Sequence, residues 1–326
     1  MKALVFDQPN KPVVTDLQTP GITENEVLIR SRRVGICHSD YELLAGKYII
    51  PISYPVTPGH EWVGEVVEVG RNVKGLKPGD RVVGECVIRT PERIHHFGFS
   101  MDGANREYFA ARPEWLHKLP DAVDDAKGAL IEPFTCGYYA VLRHGGVNPS
   151  HRVVVSGGGT IGLVTAAAAI GMGAEVIVVD PVPLRREIAM KLGCVGTVDP
   201  SNGNPVEAIT EMTKGGADLV VEAAGHPSSL ANVFDYARPE GCVSMVGISI
   251  GQKIPVELGN IQIKDLTVRG CIGSPGVWPS AIRFLERTGI DLSPIQTHSF
   301  GLDDALTAYE LGKDPTKAVK ITLDIA

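Results

Sequence analysis

Two groups of residues in this 326-residue chain have types and spacings that could do chemistry. In the first, Cys37-His38-Ser39-Asp40 is followed by Gly59-His60-Glu61. A thiolate, an imidazole and carboxylates are the donors that a borderline ion such as zinc accepts. Taken singly, each residue has a plainer explanation: a free cysteine is commonly buried, a histidine beside a Pro-Gly turn can sit at the surface, and Ser39-Asp40 can cap a helix. In the second group, Val153-Val154-Val155 runs into Gly157-Gly158-Gly159-Thr160-Ile161-Gly162, a GxGxxG between a strand and a helix. Gly157 permits the tight turn, Gly159 lets backbone approach a pyrophosphate, and Gly162 allows close helix-to-strand packing. The helix start at Thr160 and Ile161 offers N–H groups to the phosphates. Asp180 ends the next strand, where a carboxylate accepts both ribose hydroxyls of an adenosine and repels a 2′-phosphate, which favours NAD over NADP. Asp180 can equally cap the helix near Pro183, and Arg185 either flanks the adenosine or lies on a solvated helix face.

The surrounding pattern says what must position these groups. Up to about Pro133 short β-rich runs alternate with turns, as in Glu26 to Val34, Glu61 to Val69 and Arg81 to Val83. That texture predicts a mostly antiparallel unit. From Phe134 strands alternate with helices: Arg152 to Val155, an alanine-rich helix, Val176 to Val179, a helix through Met190, and strands near Leu219, Val243 and Val268. Alternation of this kind predicts an α/β, doubly wound parallel sheet. Helical patterns at Pro279 to Arg287 and Asp303 to Leu311, with a closing strand Val319 to Leu323, are too few to fold alone and are expected to complete the first unit.

Composition narrows the function. With 31 basic and 38 acidic residues the net charge is −7, so no basic field gathers a nucleic acid backbone. The apolar window Ile161 to Ala174 falls short of a membrane span and reads as a buried helix. Six cysteines without a CxxC pair, and no signal-peptide core after Met1, point to a reducing, cytoplasmic setting.

The stretch Gly59-His60-Glu61-Trp62-Val63-Gly64, with Gly70 and Val73 after it, resembles the zinc signature of the medium-chain alcohol and polyol dehydrogenases. The resemblance covers nearly the whole chain, through Gly35 to Asp40, Gly79-Asp80-Arg81-Val82, Glu132-Pro133, the glycine loop and the Lys320 region. It implies a GroES-like, mostly β catalytic domain from 1–133 plus 274–326, with a Rossmann NAD-binding domain at 134–273 inserted in it. It further implies Cys37, His60 and Glu132 as ligands of a catalytic zinc, with Glu61 able to join or leave its shell. Ser39 is then the hydroxyl that passes a proton outward, Asp40 the partner that holds the tautomer of His60, and Lys320 a contact of the cofactor pyrophosphate. Three protein ligands leave one position open, as catalytic zinc requires.

Two departures from the family pattern matter. The four cysteines of a second, structural zinc are missing, only Cys86 standing before His117, so one zinc per chain is expected. His95 and His96 are expected to face solvent rather than replace that site, although His96 and Tyr48 are also candidates to line the substrate cleft. Where alcohol dehydrogenases often carry a relay histidine, this chain has Glu42, which reads as a surface acid, a proton carrier or a polar contact for substrate.

The resemblance implies hydride transfer between NAD and a secondary alcohol of a polyol, sugar acid or cyclitol. Cys37-His38-Ser39-Asp40-Tyr41-Glu42, Lys47 to Pro51 and His96-Phe97-Gly98-Phe99 are similar to the aminocyclitol dehydrogenases. A zinc-free quinone or enoyl reductase and a non-catalytic NAD-binding protein are the alternatives. A homodimer or homotetramer, formed through an edge strand near Thr267 to Cys271, is the expected assembly.

Overall fold

The computed structural model describes residues 1–47, 50–143, 146–248 and 253–325; Tyr48 lies outside them. The chain begins β1 (Lys2–Gln8), β2 (Lys11–Asp16), β3 (Val27–Ile36), α1 (His38–Ala45), β4 (Glu61–Val69), β5 (Arg81–Gly84), β6 (Val87–Arg89) and β7 (Ile94–His96). It continues with β8 (Tyr108–Ala111), β9 (Leu116–Lys118), α2 (Asp125–Gly128), α3 (Ile131–Leu142), β10 (Arg152–Ser156), α4 (Thr160–Gly171), β11 (Glu175–Val179) and α5 (Pro183–Lys191). Then come β12 (Gly196–Val198), α6 (Pro205–Thr213), β13 (Ala217–Glu222), α7 (Pro227–Asn232), β14 (Ala237–Met245), α8 (Gly259–Ile263) and β15 (Thr267–Gly270). The last elements are α9 (Trp278–Thr288), β16 (Gln296–Gly301), α10 (Ala305–Gly312) and β17 (Lys320–Asp324).

Contacts divide the chain into two units, Met1–Glu132 with Ile282–Gly289 and Gln296 onward, and Pro133–Ala281 with Ile290–Ile295. The first boundary falls one residue before the expected 133. The return falls at Ile282 rather than 274, because the start of α9 is counted with the second unit.

In the first unit the sheet runs β16-β17-β3-β4-β5-β9, with β8 also on β3, and is antiparallel apart from the β16–β17 pair. Its register sets Gly35 opposite Glu61 and Ile36 opposite Ile321. The end of β3, the start of β4 and the start of β17 therefore meet where Cys37 opens α1. One core cluster packs Val27, Ile29, Val66 and Phe109 around Trp62, whose ring meets Phe109 edge-on at 4.8 Å. A second places Leu43 of α1 with Phe6, Phe99, Tyr309 and Leu323. Each large apolar side chain so buried stabilises the fold by about 1.5–3 kcal/mol, which anchors both sides of the Cys37 turn.

In the second unit β12-β11-β10-β13-β14-β15 form a wholly parallel sheet whose strand order reverses between β10 and β13. The valine-rich centres of β10, β11 and β13 are buried, as strands covered on both faces require. α4 is buried along Gly162 to Ala169, so the most membrane-like window is a core helix. No helix among the described residues is long and apolar enough to cross a membrane.

Candidate active site

Cys37 ends the extended run of β3 and stands at the N-cap of α1, where its own N–H donates to Asp40 Oδ2 at 2.9 Å. The other Asp40 oxygen lies 3.4 Å from His60 Nδ1. Asp40 thus fixes the helix start and stands beside the imidazole. His60 follows Gly59, whose φ of +100° and tight packing against Asn105 exclude a side chain. Ser39 Oγ lies 3.4 Å from His60 Nε2, on the face of the ring away from Asp40.

The ligand atoms of Cys37, His60 and Glu61 all lie within 4.8 Å of one another, the one such group among the described residues. Gly35 makes the space, since a Cβ there would overlap the Glu61 carboxylate. Lys320, 1% exposed at the start of β17, donates to the Ile36 carbonyl at 2.8 Å and to Glu61 Oε2.

Electrostatics test whether the set suits a cation. Burial pulls the pKa of His60 down, but the nearby Asp40 carboxylate, with Cys37, holds it well above the usual imidazole value. A field that favours a proton on a buried imidazole also favours a metal ion. His60 Nδ1 and Asp40 Oδ1 are both buried, 3.4 Å apart, without a completed hydrogen bond. Glu132, in the first turn of α3, is raised to about 7 by burial, with Glu61 and Asp40 adding to it and His60 and Lys320 opposing. The donor chemistry and the field fit zinc.

The second site is built on the glycine loop. Gly157 has φ +107°, and a Cβ there would stand 2.8 Å from Ala224 N. A Cβ on Gly162 would overlap the Gly157 carbonyl, whereas one on Gly159 would meet nothing within 4 Å. The backbone is therefore closed towards the sheet and open at the N-terminus of α4, where Thr160 and Ile161 form the first turn. Asp180 Oδ2 accepts from Gly158 N at 2.7 Å and faces Arg185 at 3.3 Å, and its Oδ1 accepts from Val182 N at 2.8 Å. The acid ties the loop to the start of α5, with Arg185 beside it.

The structure thus gathers Cys37, Ser39, Asp40, His60 and Glu61, and separately Gly157, Gly159, Thr160, Ile161, Gly162, Asp180 and Arg185. It does not bring Glu42 to the metal cluster. Four residues after His38 on α1, Glu42 faces outward, 3.8 Å from a His38 ring that is itself 88% exposed. Glu132 stands outside the three-donor group and couples to it electrostatically. Within the first unit Lys320 is buried and engages Glu61 and the Ile36 carbonyl. Sequence reasoning missed the Gly35 cradle and the Lys320–Glu61 pair, whose partners lie 259 residues apart. His95 accepts from Arg93 at 3.1 Å, and half-buried His96 lies in β7.

A cysteine-histidine-glutamate cluster in a GroES-like sheet and a glycine loop on a six-stranded parallel sheet define a zinc-binding dehydrogenase. Residues 23–121 match the alcohol dehydrogenase GroES-like domain, and residues 160–287 the zinc-binding dehydrogenase domain. The sorbitol dehydrogenase of Halalkalibacterium halodurans is 31% identical over 345 residues, covering 99% of both chains. The 2R,3R-butanediol dehydrogenase of Bacillus subtilis superposes with a TM-score of 0.90 at 29% identity, over 99% of each chain. A Sinorhizobium meliloti 1021 protein solved with NADP bound superposes with a TM-score of 0.91 at 29% identity, over 99% of this chain and 98% of that one. The chain belongs to the zinc-dependent medium-chain polyol dehydrogenase family.

Proposed function

We propose that the protein oxidises a secondary alcohol of a polyol, sugar acid or cyclitol with NAD, or reduces the corresponding ketone. The convergence of Cys37, His60 and Glu61 carries this reading, because quinone and enoyl reductases have no use for such a donor set. Similarity to sorbitol and butanediol dehydrogenases supports the polyol class. When bound, zinc supplies Lewis acidity to the alcohol oxygen and NAD accepts the hydride.

The remaining work falls to side chains. Cys37, His60 and Glu132 would hold the metal, with Asp40 keeping the proton on His60 Nδ1 and so leaving Nε2 unprotonated. Ser39 Oγ accepts the proton of the substrate hydroxyl and passes it outward. Lys320 neutralises Glu61, which limits how far that carboxylate competes for the metal. Gly159 and the first turn of α4 receive the pyrophosphate, and Asp180, with Arg185 alongside, receives the ribose hydroxyls and selects NAD.

We further infer a homodimer or homotetramer formed through β15. This strand ends the parallel sheet, and exposed Ile263 and Ile272, at 81% and 73%, flank it. Light scattering giving two or four times the monomer mass supports this; a monomer at micromolar concentration contradicts it. Six free cysteines fit a reducing cytoplasm. The substrate reading is tested by following NADH formation across polyols, sugar acids and aminocyclitols, and turnover of simple primary alcohols alone would reject it.

A further inference from the structure

A carboxylate that the reaction above does not use is buried at the carboxyl end of β13. Glu222 is 0% exposed, and its neighbours in register are Ser156 at the end of β10 and Met245 at the end of β14. Strand order reverses between the paired strands β10 and β13, and the crevice beyond their carboxyl ends is where open α/β sheets hold their ligands.

The carboxylate gathers donors from the loops that rim this crevice. Oε1 accepts from Ser229 Oγ at 2.7 Å, Gly225 N at 3.0 Å and Ala224 N at 3.1 Å, and Oε2 accepts from Gly225 N at 3.2 Å. Ser229 Oγ is also 2.8 Å from Ser156 Oγ, next to Gly157 of the phosphate loop. A Cβ on Gly247 would overlap both Glu222 and Gly225, so the chain leaving β14 closes on the same carboxylate. Burial raises the Glu222 pKa, and hydrogen bonds from Ser229, Gly225 and Ala224 work against that rise. An acceptor with no proton of its own suits a ring of donors; an amide would turn N–H towards N–H.

We propose that Glu222 is a positioning residue for the nicotinamide dinucleotide, fixing the backbone at Ala224–Gly225 beyond the carboxyl ends of β10 and β13. It acts through that backbone. The inference rests on the reading of the second unit as an NAD site.

NADH is titrated by fluorescence into purified holoenzyme, with zinc per chain measured on the same samples. Wild-type protein that binds no NADH overturns the NAD reading and this inference with it. Given wild-type binding, Glu222→Gln is expected to weaken NADH about tenfold and to raise KM for NAD, with zinc content and KM for the alcohol unchanged. A purely structural role lowers melting temperature and zinc content while the folded fraction binds NADH normally. A folded Glu222→Gln protein with NADH affinity within about twofold of wild type overturns the proposal. Where that variant does not fold, Glu222→Asp decides: it keeps the charge but draws the carboxylate back from Ala224 N and Gly225 N, and about threefold weaker NADH supports the proposal while unchanged affinity overturns it.

Discussion

The ammonium of Lys320 donates to the carboxylate of Glu61 inside the first unit, with both side chains at most 2% exposed. The pair brings the start of β17 against the start of β4, beside the Cys37 turn. Its energetics follow from burial: each charge is tolerable only while the other is present.

Lys320→Met should therefore leave Glu61 as an uncompensated buried carboxylate and destabilise the metal-free protein by about 3–5 kcal/mol. Urea denaturation of the apoprotein measures this. Added zinc should restore part of the loss, since Glu61 then has a cation to face; a variant as stable as wild type would show that the pair matters little.

Glu132 gives a pH dependence whose sign is fixed. Its folded pKa of about 7 exceeds the ordinary 4.5, chiefly through burial, so between those values the folded apoprotein holds more protons than the unfolded chain. Apoprotein stability should fall as pH rises from about 4.5 to about 7. Zinc uptake should improve over the same range, because a ligating carboxylate must first lose its proton. Glu132→Gln should flatten both profiles in calorimetric titrations across pH.

Glu42 supplies a negative prediction. Half-buried and paired loosely with His38, it should tolerate Glu42→Gln with a stability change within about 0.5 kcal/mol and kcat within about twofold of wild type. A large fall in kcat would return it to the proton relay.

Asp180 should decide cofactor choice. Asp180→Ser removes the acid that repels a 2′-phosphate and also the anchor of Gly158 N, so kcat/KM for NAD should drop by about 10- to 100-fold while NADP gains relative to it. The ratio of the two kcat/KM values is the readout, and an unchanged ratio would remove Asp180 from selectivity.

What could be read without coordinates follows sequence distance. Cys37 to Asp40 and Gly59 to Glu61 are short motifs whose chemistry is local, and the structure brings them together through the β3–β4 register. The glycine loop and Asp180 were legible for the same reason. Glu42 stayed open among a surface acid, a proton carrier and a substrate contact, because only helical geometry sets it beside His38, four residues before it. Lys320 reaches Glu61 across most of the chain, which no local pattern reveals. Glu222 left one sign, an acid closing the apolar strand Leu219-Val220-Val221, and only the loops around it explain it.

The most direct measurement is zinc per chain by elemental analysis, for wild type, Cys37→Ser and His60→Ala, with NADH formation from a polyol panel followed with and without chelator. The account predicts one zinc in wild type, lost in both variants together with activity, and chelator-sensitive turnover. Metal-free wild-type protein that still reduces NAD at the same rate would contradict it.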